Sequence, residues 1–452
     1  MQDRRGLPLR NAMERASRRT RLHMPGHFGR MPDAGDFLCW TYDLTEVEGL
    51  DSLSAPSGVL QDLQARTAAA YGAGAAWLSV QGATLPVLAG SLAWAPRGAR
   101  VEIPRHAHRS VLAAALLGEW DVRWVSAPTD PVFGVPLPPS RDMWGPPVEA
   151  LTRRLLVSPT YEGIVAEPPT GPGVTLFVDA AHGGHFGRHV SLPPHALREG
   201  ADFAAHGLHK TEPVLTQSGL LLARHTDPGG AVERWWRVLG TSSPSYLLLA
   251  GLEAYVRARE DGDGGWGAYT DWARELWALA ERRGHRVLQA QEERRGLRVD
   301  PAKFTVAADG AAVAERLGAA GFTPEAVGPA SVTFIMGPQA GLLTQDGIRL
   351  LDALGPPGVP TVTALYPDIP PRAMQIAQAF HMPRHSMPLS DVEGLVAAEA
   401  LTPYPPGIPL VVPGEILHQD VLDYVEELTR RGTMIEGLDQ GQGGWRVWVV
   451  DA

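Results

Sequence analysis

Lysine is nearly absent from this chain of 452 residues: of 40 basic residues only Lys210 and Lys303 are lysine, which leaves 38 arginines. Arginine supplies positive charge almost everywhere, so a lysine position calls for another reason. An amine can lose its proton and condense with a carbonyl, which a guanidinium effectively cannot. Cysteine is scarcer still, with Cys39 alone. That excludes an internal disulfide framework and fits a reducing cytoplasm. No run of 18 or more apolar residues suggests a membrane span, and no charged start followed by an apolar segment suggests a secretory signal. The Arg-rich opening up to Arg21 carries Asp3 and Glu14, and it reads as an N-terminal arm with a short helix. A net charge of −10 argues against a nucleic-acid partner. Repeats, heptads and low-complexity blocks are missing too.

The sequence concentrates its chemistry between Val174 and Ala223. Val174–Val178 is a short apolar run closed by Asp179, as in a buried parallel strand whose carboxyl end opens into a site. A second run leads to Lys210. Around them, helix-like and strand-like stretches alternate: 60–71 helix, 75–80 strand, 85–94 helix, 101–103 strand, 110–117 helix, then strands at 122–125 and 155–158. Such repeated units argue for an α/β fold with a mostly parallel sheet covered on both faces. Gln81-Gly82-Ala83-Thr84 falls on a strand-to-helix turn, where uncapped amides and the helix dipole can hold an anion. A plain N-cap is the commoner use of such a threonine. A helix at 247–259 ends at DGDGGWG (261–267), where a domain boundary is placed. Beyond it the pattern predicts helices at 272–283 and 421–428 and strands at 304–307, 331–336 and 445–450. The expected organisation is therefore an N-terminal arm (1–58), a large domain (59–265) and a smaller C-terminal α/β domain (266–452).

DAAHGGHFG and HGLHKTEPVLTQSG resemble motifs of the bacterial ornithine/lysine/arginine decarboxylases, which are fold-type I pyridoxal-phosphate enzymes of aspartate aminotransferase-like fold. HMPGH (23–27), DLTEVEGLDSL (43–53), RHAHRS (105–110), SPTYEG (158–163), TSSPSY (241–246) and PYPPGIPLVVPGE (403–415) follow that family's pattern in its order. The resemblance covers nearly the whole chain. It implies that pyridoxal 5'-phosphate is held as a Schiff base on Lys210, with Asp179 paired to the pyridine nitrogen and His108 stacked on the ring. His108 could otherwise be a plain helix cap. His182 would lie under the cofactor or orient Asp179. Phosphate contacts would come from Gly82, Ala83, Thr84 and His209, and from Ser242 of a second subunit, so a homodimer with active sites at its interface is expected.

The implied reaction is decarboxylation of arginine, lysine or ornithine, with Lys210 or His209 returning a proton to Cα. Glu415, and after it Glu46, are the acids expected to meet the distal cation of the substrate, although most glutamates are solvated surface groups. No metal ligand set is expected. The chain begins close to HMPGH, without the N-terminal wing domain of larger relatives, which suggests a dimer or at most a dimer of dimers. Three departures stand out: Gly207 where the family has serine, Ala180 in DAAHG for DEAHG, and Phe28 in PGHFG for PGHKG. They motivate a non-catalytic relative, and because one fold hosts many chemistries an aminotransferase or aldolase-type lyase also stays open.

Overall fold

The structure, a computed structural model, describes residues 20–22, 50–147, 151–227, 229–342, 344–358, 367–404, 406–441 and 444–451. HMPGH, Phe28, Cys39, Glu46 and most of the expected arm lie outside the described residues.

Seven strands build the central sheet: β1 (Ala75–Ser79), β2 (Arg100–Pro104), β3 (Asp121–Val125), β4 (Thr152–Val157), β5 (Val174–Asp179), β6 (Phe203–His206) and β7 (Gly219–Ala223). Their order is β1-β7-β6-β5-β4-β2-β3. β7 runs antiparallel to β1 and β6, and the other pairs are parallel. It follows that β1 to β6 all point one way and that their carboxyl ends share one edge. In an open α/β sheet that edge is where ligands bind.

Alternating strand residues feed two cores. Leu176, Val178, Leu220 and Leu222 pack on one face with Leu60, Tyr71, Leu252 and Val256, from the helices α1 (Val59–Tyr71) and α5 (Tyr246–Asp261). Phe177, Leu155 and Leu221 pack on the other. There they meet the helices α2 (Thr84–Trp94), α3 (Arg109–Leu117) and α4 (Ala231–Leu239). The strands read as continuous apolar runs because helices cover both faces.

Gly262, Gly264 and Gly265 all have positive φ and end α5. The following helix begins at Trp266, six residues before the position expected from the sequence. Asp263 accepts hydrogen bonds from the amides of Gly265 and Gly267 there, which supplies the start signal. Among the described residues, two larger cores lie beyond. One gathers Trp266, Trp277, Phe304 and Phe334 around an antiparallel sheet of Lys303–Ala307, Ser331–Ile335 and Ala326–Val327. The strand Thr20–Leu22 lies parallel to Phe322–Pro324 at its margin. The other core packs helix Gln419–Arg430, through Val421, Leu422, Val425 and Leu428, beside the antiparallel strands Arg384–Pro388, Gly444–Val450 and Leu438–Gly441.

Candidate active site

The strand ends converge on a cavity of about 940 Å³, near the upper end of the range for small-molecule sites. Gly219 opens β7 opposite Ser79, where a Cβ would fall 2.3 Å from the Gly82 oxygen and 2.8 Å from the His206 oxygen. Only glycine lets these strands close up. The turn beside it is held from two sides. The Gly82 amide, at φ +64°, donates to the Gln217 carbonyl at 2.7 Å, and the Ser79 hydroxyl donates to the Gly82 carbonyl at 2.9 Å. α2 then starts at Thr84 with no side chain capping its first amides. Ala83 and Thr84 line the cavity, and a helix start with uncapped amides is what an anion site requires. His209 completes this end. Its Nδ1 lies 3.1 Å from the Ser218 carbonyl oxygen, and its Cε1 would sit 3.6 Å from a Cβ on Gly82.

Asp179 ends β5 and lines the cavity with Lys210. Burial pushes its carboxyl pKa up, while Lys210 and the Ala181 amide, which donates at 3.1 Å, oppose the shift. Lys210 does not sit at a strand end. β6 stops at His206, and one short 3₁₀ turn, Leu208–Lys210, carries the amine back into the cavity. Burial lowers its pKa, against the pull of Asp179 and Glu325.

His108 caps a helix and lines the cavity. Its Nδ1 accepts from the Ser110 amide at 3.2 Å at the start of α3. Burial first, then Lys210 and Arg109, bring it down to about 3, so the ring is neutral and able to stack. His182 makes no hydrogen bond to Asp179. It turns instead to Lys210, with Nε2 3.0 Å from the Lys210 Nζ.

Two of the three departures have local explanations. Ala180 is buried in the core beneath β5, facing away from Asp179, and its carbonyl oxygen lies 3.0 Å from His206 Nδ1. A Cβ on Gly207 would touch the Ala181 oxygen and Lys210 Cε at 3.3 Å and the Ala83 Cβ at 3.4 Å. The space of the missing side chain has thus been closed by its neighbours.

The placement of the remaining expected residues differs. Glu415 was expected at the substrate's distal cation, but its carboxylate is fully buried outside the cavity lining. Arg105 donates to both of its oxygens, at 2.9 and 2.8 Å, and the Val412 amide donates to Oε2 at 2.9 Å. Both oxygens are thus engaged within the chain. Ser242 is exposed on the loop after α4, where the amide of Thr241 donates to Gln81 Oε1 at 2.7 Å; it does not line this chain's own cavity.

Sequence reasoning missed several cavity residues: Tyr161, Glu325, Glu436, His106 and, one layer behind, Lys303. Tyr161 donates to Glu325 at 2.7 Å, and Glu436 pairs with Arg109. Tyr161 lay inside the quoted SPTYEG motif, and Lys303 carried the same rarity signal as Lys210. Glu325 had no sequence signal, since it arrives from a distant strand pair.

His106 is buried with no hydrogen-bond partner at either ring nitrogen, and burial brings it down to about 4. The unfolded chain therefore binds a proton near pH 6.5 that the folded one refuses. Its stabilising contribution is complete above that pH and is lost as pH falls from about 6.5 towards 4, by up to about 3 kcal/mol. His106→Asn is expected to flatten the fall in denaturation midpoint between pH 7 and pH 5, measured by urea unfolding.

The donor set fits a phosphorylated aromatic aldehyde: an amine for the carbonyl, a carboxylate for a ring nitrogen, a neutral imidazole for a ring face and open helix amides for the phosphate. This is the arrangement of a fold-type I pyridoxal-phosphate enzyme. The comparisons agree. Residues 18–269 match the family described as Orn/Lys/Arg decarboxylase, major domain, and residues 360–447 match Orn/Lys/Arg decarboxylase, C-terminal domain. The chain belongs to the Orn/Lys/Arg decarboxylase family.

Among its relatives are an arginine decarboxylase of Bacillus subtilis, 28% identical with 95% of each chain covered, and one of Halalkalibacterium halodurans, 28% identical over 92% of this chain and 91% of that protein. In fold it is similar to the constitutive lysine decarboxylase of E. coli (TM-score 0.76, 18% identity) and the lysine decarboxylase of Francisella novicida (0.78, 18%). Both alignments cover 92% of this chain and 76% of the other.

Proposed function

We propose that this chain decarboxylates a basic amino acid, arginine first among arginine, lysine and ornithine, with pyridoxal 5'-phosphate bound through Lys210. The observation that carries the reading is the meeting of Lys210, Asp179, His108 and the 81–84 turn in one cavity. When bound, the cofactor supplies an electron sink for the pair left on Cα as CO₂ departs.

The chain's own residues do the rest. Asp179 offers a carboxylate that keeps the ring nitrogen protonated, because an adjacent opposite charge favours the charged form. His108 packs on the ring face, and Gly82, Ala83, Thr84 and His209 receive the phosphate. Ser242 is assigned to the phosphate of a second copy, which makes the working unit a homodimer. Lys210 or His209 delivers the proton to Cα. With Glu415 committed to Arg105 and Glu436 paired with Arg109, Glu325 is the further carboxylate beside Asp179 that lines the cavity, and it favours a cationic substrate group. Arginine leads because three of the relatives aligned over nearly their full length are named arginine decarboxylases.

The test is the visible spectrum of the purified protein with added cofactor, before and after each amino acid, with evolved CO₂ followed in parallel. A spectral change and CO₂ with one of the three names the substrate. A cofactor band indifferent to all three sinks the decarboxylase reading, and no band at all sinks cofactor binding.

A further inference from the structure

The chain's two lysines sit on the two nitrogens of one imidazole. His182 Nε2 lies 3.0 Å from the Lys210 Nζ, and His182 Nδ1 lies 2.8 Å from the Lys303 Nζ. Lys303 is fully buried and His182 nearly so. The geometry around Lys303 is built for it. Gly163, at φ +90°, has no side chain where a Cβ would fall 2.4 Å from Lys303 Cγ. The Lys303 amide donates to the Asp300 carbonyl at 3.1 Å, and the Asp300 amide donates to the Gly163 carbonyl at 2.8 Å. The ammonium stem is thus threaded between two turns, with Tyr161 set edge-on against the imidazole.

Burial, with Lys210, Lys303, His209 and His108 adding to it, holds His182 far below the ordinary histidine range, so its ring is neutral. A neutral imidazole has one N–H and one lone pair. The amine facing the lone pair can donate. The amine facing the N–H must accept, and so must be unprotonated. Two ammonium groups cannot both be satisfied there.

The carboxylates around the two amines differ. Lys303 faces the carboxylates of Asp300, Glu325 and Glu162, and its pKa is about 8, lowered chiefly by burial. Lys210 faces Asp179 and Glu325, and Asp179 is the acid the cofactor's ring nitrogen would take. An amine needs its lone pair to condense with an aldehyde and release water.

We propose that Lys303 is a positioning residue which, by donating to His182 Nδ1, turns the His182 N–H towards Lys210 and keeps Lys210 the unprotonated amine. This rests on Lys210 being the cofactor lysine. The test is therefore made on the cofactor-free chain, so that the two ideas can fail separately.

The wild type, Lys303→Met and Lys303→Arg would be acetylated briefly with acetic anhydride across roughly pH 6 to 10, with Lys210 modification read by peptide mass spectrometry. Having only two lysines makes the readout unambiguous. In Lys303→Met, no cation holds the imidazole tautomer. The midpoint of Lys210 reactivity is expected to rise by about one pH unit, roughly tenfold slower reaction below it. Lys303→Arg still donates to Nδ1 and is expected to leave the midpoint at or below the wild-type value. An unmoved midpoint in Lys303→Met, or an equal rise in Lys303→Arg, overturns the proposal. If Lys303→Met does not fold, the wild type labelled with [ε-¹³C]lysine decides. Two resonances that titrate independently near the ordinary ~10.4 overturn it, as does coupled titration in which Lys303 loses its proton first, whereas coupled titration with Lys210 the lower of the two supports it.

Discussion

Lys210→Ala is expected to lower decarboxylation by at least about 10⁴-fold, the top of the range that general acid catalysis alone supplies, and to remove the cofactor's visible band. The amine is the group in the cavity placed beside both Asp179 and His182. Alanine removes the carbonyl-binding group and one proposed proton donor together. Lys210→Arg is the informative companion. It keeps a cation near Asp179 but cannot condense with an aldehyde, so its activity is expected to match that of the alanine variant. Substantial activity in either variant, measured as CO₂ from arginine, would refute the role of Lys210.

The same comparison shows what could be read from residues in order. Asp179 was legible because a buried strand must be apolar until it reaches the rim, so one acid closing VTLFV marks the end of β5. Lys210 was legible through compositional contrast together with the HGLHKTEPVLTQSG motif around it. The 81–84 turn followed from periodicity, since a strand pattern gives way there to a helix pattern. What stayed hidden depends on tertiary approach. Glu325 meets Tyr161 across 164 residues of sequence, and no local pattern encodes that contact. Lys303 carried the same contrast as Lys210, but its place behind His182 is set by the 300–303 turn packing on Gly163. The start of the helix at Trp266 was misjudged because Asp263, a side-chain cap inside a glycine-rich breaker, converts the breaker into a start signal.

Glu415 is the sharpest case, since the sequence motif named the residue and the fold gave it another task. Its carboxylate is 0% exposed and Arg105 is 5% exposed. Arg105 also donates to the Leu410 carbonyl at 2.8 Å and lies 4.9 Å from the Trp124 ring centroid. Arg105 directly follows β2 and stands three residues before His108, so the pair fastens segment 410–415 to the loop that presents His108. The Arg109 amide, donating to the Gly407 carbonyl at 2.9 Å, adds a second tie. Removing one member of such a pair leaves a buried charge uncompensated, at a cost of about 3–5 kcal/mol, a large part of the usual net stability of a fold. Glu415→Ala is therefore expected to lower the denaturation midpoint and to raise hydrogen exchange in both the 105–110 loop and segment 407–417. Replacing both partners, as Arg105→Met with Glu415→Leu, is expected to recover much of that loss, because no charge is then stranded. A carboxylate that touched substrate would behave differently. Its removal would raise KM for the basic amino acid while stability and exchange stayed at wild-type values, and the double variant would recover nothing. That pattern would return Glu415 to the substrate pocket and require the Arg105 pair to open during binding.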